Sequence, residues 1–486
     1  MVRYCIPDAP NGGGINVTLS LYVNGVHRQD LQLTSRYAWL YGPEDNPNNS
    51  PSSGSPRRIY DETRALIGEV PAGAKLRLQK DSSDTAAYYA IDFVDIEFVG
   101  PPLPKPDNFL SITDFGATPN DTTDDSNAID ACIQAAKQQG KGVWIPEGVF
   151  YQSRKAIVDN ITVRGAGMWY SVLYSPNDSF TDWGFVGFII NGPNCKFYDF
   201  SIFGNGTQRD TGGKAFCNSA FTGTEIGNVW IEHTNCGYWV GGTTPSSGLH
   251  MFNCRIRNTY ADGINLCNST KNALIENVHV RHTGDDGIAI WSATDLTSEP
   301  CSGNIIRKCT VQLPWRANAF AIYGGNNNTI EDCVAYDTLT YGGVNISSCF
   351  NPYPFSGTTT VQRVTLVRCG GAFWGGLQFG AFWINADDSN IVGLVVKDID
   401  IIDSTFSGLH IQSETYGHPV PNVLDNARFE NINIIGCGTD GIYIRSGSRG
   451  SATFKNVVVS GCNGLPLRND AASTFTIIRE SGNVGW

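Results

Sequence analysis

Between residues 253 and 291 the chain writes nearly the same phrase twice: Asn-Cys-Arg-Ile-Arg-Asn-Thr-Tyr-Ala-Asp262-Gly263-Ile-Asn-Leu, then Asn-Val-His-Val-Arg-His-Thr-Gly-Asp285-Asp286-Gly287-Ile-Ala-Ile. A chain that repeats itself at such an interval stacks one coil on the next, so that equivalent positions lie roughly 4.7–4.9 Å apart, like rungs of a ladder. Three carboxylates are thereby expected on one patch. Crowded acids of this kind suit acid/base chemistry.

The repeat continues well beyond these two phrases. Segment starts recur at Asn228, Cys254, Asn277, Cys309, Cys333, Cys369, Asp398, Asn431 and Asn456, with gaps of 23 to 36 residues. Short gaps read as bare coils, whereas long ones carry loops such as 292–302 and 351–360 that would wall a cleft on one face. With 54 glycines and only 16% charged residues, the composition fits a turn-rich β-solenoid. The fold expected is therefore all-β.

Residues 1–100 read differently. Ile15, Val17, Leu19, Leu21 and Val23 alternate with other residues up to Asn24-Gly25, a hairpin-turn dipeptide, and Leu76-Arg77-Leu78 and the run from Tyr88 to Val99 supply further strands. A β-sandwich resembling a carbohydrate-binding module is expected. Tyr37, Trp39 and Tyr41 on one strand face either meet sugar or pack internally, and burial habits favour packing. Pro101, Pro102, Pro104 and Pro106 make 101–108 a stiff linker, and 109–486 forms the solenoid. Ile129, Cys132, Ile133 and Ala136 follow a helical period stopped at Gly140, and Asp121, Asp124 and Asp125 before them read as helix-start residues.

The formal charge of −12 argues against nucleic acid and anionic membrane surfaces as partners, and no apolar run reaches the ~18 residues that span a bilayer. Met1-Val-Arg-Tyr leads into polar sequence with no signal peptide, so the chain reads as either cytosolic or a piece of a longer secreted protein; a substrate large enough to need a long groove favours the second, acting outside the cell as a monomer. The 14 cysteines show no metal-type CxxC spacing, and most are expected as inward thiols, although stacked neighbours could pair as disulfides.

An Asp-Gly pair alone can be turn chemistry, and Asp440-Gly441-Ile442, in the same register with no acidic neighbour, is the internal control. Asp262 followed one coil later by Asp285-Asp286 is different, because stacked like charges cost stability unless function or a cation compensates. Repulsion and burial would raise at least one carboxyl pKa and keep a proton available, with the set titrating together.

The segment from Asp114-Phe-Gly-Ala through Asp124-Asp125 to Val143-Trp-Ile-Pro-Glu-Gly resembles the first coil of the pectin-lyase-like superfamily of right-handed parallel β-helices, which implies that the helix plugs the end of the solenoid. The Asp…Asp-Asp pattern is similar to that of inverting β-helix glycosidases, but the Gly-His-Gly and Arg-x-Lys of polygalacturonases do not follow Asp286. With its sandwich containing Ser35-Arg-Tyr-Ala-Trp-Leu-Tyr-Gly, the whole chain resembles the catalytic unit of family 87 glycoside hydrolases, the endo-α-1,3-glucanases. That resemblance implies an inverting endo-hydrolase of α-1,3-glucan, with Asp262, Asp285 and Asp286 catalytic. Asp285 would be the acid, and Asp262 with Asp286 would hold the water.

Sugar rings stack on aromatic faces and bond to amides, so Trp291, Trp315, Tyr323, Tyr341, Trp374, Trp383, Asn318 and Asn345 are the candidate substrate contacts, with His282 three residues before Asp285. No catalytic metal is expected, though a structural Ca²⁺ remains compatible with the sequence. The alternatives are a hydrolase of another neutral glycan such as dextran, a calcium-dependent lyase using Arg281 or Arg316, and a non-catalytic glycan binder.

Overall fold

The computed structural model describes the whole chain except residues 45–46, 178–183, 210–212, 241, 243, 296–297 and 373–375. Each coil contributes up to three short strands, as in His250–Phe252, Arg255–Thr259 and Ile264–Cys267, and the next coil lays Leu274–Glu276, His279–Thr283 and Ile288–Trp291 in parallel beside them. The coils form a right-handed parallel β-helix, stacked as expected from the repeat and of the kind the family resemblance implied. One face is a separate 12-stranded parallel sheet running from Ala156–Val158 to Leu467–Asn469.

Alternation along that sheet decides what faces in and what faces out. Ile264, Ile288, Phe320, Val344, Phe382, Leu409 and Ile442 stack in register and belong to one continuous buried core. Asn265, Ala289, Ala321, Asn345, Trp383 and His410, one residue further along, point away from it and line the outer face. At the coil corners Asn253 and Asn277 both adopt left-handed backbone, and the amide of Asn277 donates to Asn253 Oδ1 at 2.7 Å. Asn pays little for that backbone, and its amide continues the ladder between coils.

Helix Ser126–Gln139 buries Ala128, Ile129, Cys132, Ile133 and Ala136 in the same core and ends at Gly140, φ 64°. It thus closes the end beside the first coil strands. Asp124 and Asp125 are tied to backbone there, accepting from Ser126 and Ser153 and from Thr118 and Tyr151 respectively, which is a structural role. The cysteines are all free, and twelve of them are buried, so the inward-thiol expectation holds and no disulfide forms.

The first hundred residues form two three-stranded antiparallel sheets that enclose Val2, Tyr4, Leu19, Leu21, Leu31 and Leu33. Asn24 and Gly25, at φ 51° and 82°, make the expected tight turn between strands Asn16–Val23 and Val26–Thr34. This sandwich is welded to the β-helix. Glu62 accepts from Arg3 at 3.1 Å and reaches across to Arg257 at 3.2 Å and Arg281 at 2.9 Å, all with side chains at least nine-tenths buried. Tyr37 stacks on His233 with ring centroids 3.6 Å apart and bonds Asn205, while Trp39 and Tyr41 donate to Ile6 O and Asp8 within the sandwich. Packing, not a sugar platform, is the use of these rings. The proline segment also lies against the β-helix, with the Leu103 N–H donating to Ala166 O at 2.8 Å.

Candidate active site

The in-register pairing of Ile264 with Ile288 and of Ile288 with Phe320 places Asp262, Asp286 and Asn318 at one position on three successive coils, with Asp285 beside them. One carboxylate oxygen from each of Asp262, Asp285 and Asp286 lies within 4.8 Å of the others. The ladder drawn from the repeat is therefore present. Asp440 falls in the same register but has Ser407 as its neighbour, and its Oδ1 accepts the Leu465 N–H at 2.8 Å, the turn role expected of the control. A cavity of ≈ 280 Å³ opens beside it, lined by His410, Tyr443 and Arg468, yet Asp440 is its only carboxylate.

The three acids have unlike surroundings. Asp286 is 4% exposed, and its Oδ1 accepts both the backbone and side-chain N–H of Asn318 at 2.9 Å while Tyr323 donates to Oδ2 at 2.8 Å. Asp262, 6% exposed, receives among the described residues a single 3.3 Å side-chain bond, from Asn265 Nδ2. Asp285 is the most exposed of the three and is gripped by Arg209 and by Arg316, the latter at 2.6 Å.

Those contacts set the charges. Burial first, then the Asp285 and Asp286 charges, pushes the Asp262 carboxyl well above the usual carboxylate range. Burial and the Asp285 charge raise Asp286 to about 6, against the hydrogen bonds from Asn318 and Tyr323. Burial also pushes Asp285 upward, but the two guanidiniums reverse it and hold that carboxyl below its ordinary value. These directions favour a proton on the Asp262–Asp286 side of the ligand-free site and an ionised Asp285. The sequence expectation made Asp285 the acid; the two arginine contacts that lower its pKa in the ligand-free site leave no pattern in the chain. The guanidiniums also repel a cation, so the set fits a shared proton better than a metal.

The remaining candidates divide. Asn318 orients Asp286, and Gly342 N–H closes its Oδ1 at 3.1 Å, leaving it a positioning residue. Tyr323 joins Asp286, Asn318 and, at 3.5 Å, Asn345. Trp291 lies beside Tyr323 on the adjacent strand in a small outer cluster with Ala289 and Ala321. Tyr341 feels the Asp285 and Asp286 charges and stacks on Phe379 at 4.6 Å, and Trp383 packs against the same Phe379 at 4.5 Å. Trp374 lies outside the described residues.

Two candidates face elsewhere. His282 adopts φ 55°, which takes its ring out of the strand alternation. Buried at 2% exposure, it feels chiefly Glu62, Arg3, Arg281 and Arg257, and burial drives its pKa down to about 3. Trp315 packs edge-on against Tyr260, with Leu40 and Ile59 of the sandwich, and belongs to the junction between the two units. Sequence reasoning missed Arg209, Glu44 and Phe350, the last an exposed ring 5.5 Å from Tyr323. Arg281 is taken up by Glu62 and Arg316 by Asp285, so neither base proposed for a lyase stands ready.

Replacing Tyr323 with Phe removes a bond that favours the ionised form of Asp286, so the acid limb of the pH–rate profile should move to higher pH. Turnover is expected to fall by roughly 10–100-fold, read from kcat against pH.

A family model described as alpha-1,3-glucanase catalytic domain D2 matches residues 122–485, and one described as domain D1 matches 1–99. The comparison with curated proteins gave no match. Among solved structures, the catalytic domain of a GH87 alpha-1,3-glucanase in complex with nigerose is 30% identical, with TM-score 0.87 over 100% of this chain and 88% of that chain. The catalytic unit of a thermostable GH87 alpha-1,3-glucanase from Streptomyces thermodiastaticus strain HF3-3 is 28% identical, with TM-score 0.83 over 100% and 86%. Three variants of a GH87 enzyme, bound to nigerose or tetrasaccharides, carry alanine for one aspartate each, at positions separated by 23 residues and by one. A mannuronan C-5 epimerase module from Azotobacter vinelandii, 18% identical with TM-score 0.53 over 77% of this chain and 98% of that one, shares the fold alone. With both parts matched, the chain belongs to the α-1,3-glucanase catalytic-domain family and is a glycoside hydrolase.

Proposed function

We propose that this endo-α-1,3-glucanase cuts its glucan with Asp262, Asp285 and Asp286 acting as one coupled acid/base set. The observation that carries this is the convergence of three carboxylate oxygens within 4.8 Å on adjacent coils. Support comes from the relatives whose substituted aspartates have the spacing of Asp262, Asp285 and Asp286.

In this reading Asp285, the most exposed of the trio, meets the glycosidic oxygen. A bound glucan separates it from Arg209 or Arg316, and the proton held on Asp262 passes to it across the short gap. Asp285 then gives that proton to the leaving oxygen. Asp262 and Asp286, both now carboxylates, orient one water, whose proton they accept as it attacks the anomeric carbon. Two hydrogen bonds of about 2.8 Å from one water span such a separation, and the product inverts.

A second reading has one specific observation behind it. Oxygens this close are nearer the ~5–5.5 Å carboxyl separation of retaining enzymes than the ~6.5–9.5 Å of inverting ones. Proton NMR of the first products decides between them: a β-anomer is expected, and an initial α-anomer establishes double displacement. Reducing sugar should appear from α-1,3-glucan and not from dextran, starch or polygalacturonate, as a mixture of oligosaccharides. Activity should persist in EDTA, because the proposal needs no metal. Action outside the cell, as a monomer, is the setting we propose; among the described residues no helix is long and apolar enough to cross a membrane.

A further inference from the structure

The sandwich sends one loop into the catalytic site. Glu44, 9% exposed, lies 2.7 Å from Arg316 Nε as an ion pair without hydrogen-bond alignment, and the same guanidinium holds Asp285 at 2.6 Å through its other side. Three residues on, Pro47 O accepts the backbone N–H of Arg209 at 3.1 Å, and Asn48 bridges Gln208. Arg209 also donates to Gly284 O at 2.9 Å, directly beside Asp285. Both arginines that hold Asp285 are therefore met from the sandwich, Arg316 by Glu44 and Arg209 by Pro47, with Asn48 beside it. Leu40 and Ile59, packed on Tyr260 and Trp315, fix where that loop leaves the sandwich.

We infer that Glu44 of the sandwich is a positioning residue that acts on Asp285 through Arg316. Glu44 competes with Asp285 for one guanidinium. By drawing Arg316 toward itself it weakens the grip on Asp285 and adds negative potential to the trio, and both effects favour a retained proton. The charged and titratable groups that face this pair are Arg209, Arg316, Arg57, Asp262, Asp286, Tyr323 and Tyr341. A module that merely tethers substrate would have no reason to place an acid there.

The inference rests on the trio being catalytic, and loss of turnover in Asp286→Asn tests that separately. For Glu44→Gln the expected result is a shift of both limbs of the kcat/KM profile to lower pH, by about 0.5–1 unit, with the melting temperature unchanged. The shorter acid in Glu44→Asp should restore part of the shift, and it serves as the second variant should Glu44→Gln fold poorly. A Glu44→Gln profile that superimposes on the wild type, whatever happens to kcat, overturns the inference. So does an activity loss that follows the melting temperature with the shape of the profile intact.

Discussion

Asp286→Asn is expected to lower kcat by about 10²–10⁴-fold with little change in folding, and Asp262→Asn should do the same. Each substitution keeps the shape of the side chain while removing a group that must both ionise and carry a proton. Because the acids act as a unit, the double variant should cost little more than either single one. Stability should move the other way. Asp262 is pushed up by burial and by its two acidic neighbours, so the folded state binds more protons than the unfolded chain between the ordinary carboxylate pKa and the raised one. Stability is therefore lost as pH rises through that window, and an Asn at 262 relieves it. At neutral pH the melting temperature of Asp262→Asn should equal or exceed that of wild type. Near-normal turnover in either single variant would remove the trio as the chemical centre.

The second large effect is on stability. Glu62→Ala should cost about 3–5 kcal/mol, because it strands the guanidiniums of Arg3, Arg257 and Arg281 without their counter-ion where water does not reach. Calorimetry should show a fall of roughly 3–5 °C, with a separate early transition if the sandwich uncouples. The pH dependence gives a further check. Burial pushes the Glu62 carboxyl up, but Arg257, Arg281, His282 and Arg3 together hold it well below the usual carboxylate range. A depressed folded pKa contributes stability that is present above the unfolded value of ~4.3 and is lost as pH falls toward the folded one. The gap between wild type and Glu62→Ala should therefore begin to close below about pH 4. A variant that melts with the wild type would mean that the junction is held by packing at Tyr37, Tyr260 and Trp315 instead.

Glu62 also explains an otherwise unfavourable pairing. Strand register puts Arg257 directly beside Arg281 on adjacent coils, two like charges at ladder spacing, just as it puts Asp262 beside Asp286. The basic pair is neutralised by an acid from the sandwich. The acidic pair is met by arginines only at Asp285, and Asp262 is left to respond by holding a proton. One is a structural solution to crowding, the other a chemically useful one.

The pattern shared by residues 253–266 and 277–290 was enough to read the stacking, and stacking alone brings residues 262, 285 and 286 together; that Tyr323 and Trp383 face outward follows from the strand register of the structure. Local pattern carried the stacking because it depends only on the neighbouring coil. His282 and Trp315 take the buried, structural alternative of their two readings, decided by a left-handed backbone at 282 and by contact of Trp315 with the sandwich. Arg209 is 76 residues from Asp285 in the chain, and Glu44 is farther still, on a sandwich loop. Their approach follows from how the sandwich docks on the solenoid, a long-range packing event with no periodic trace. The chain by itself thus determined which acids are crowded, while only the tertiary structure decided which of them keeps the proton, since that depends on charges brought in from afar.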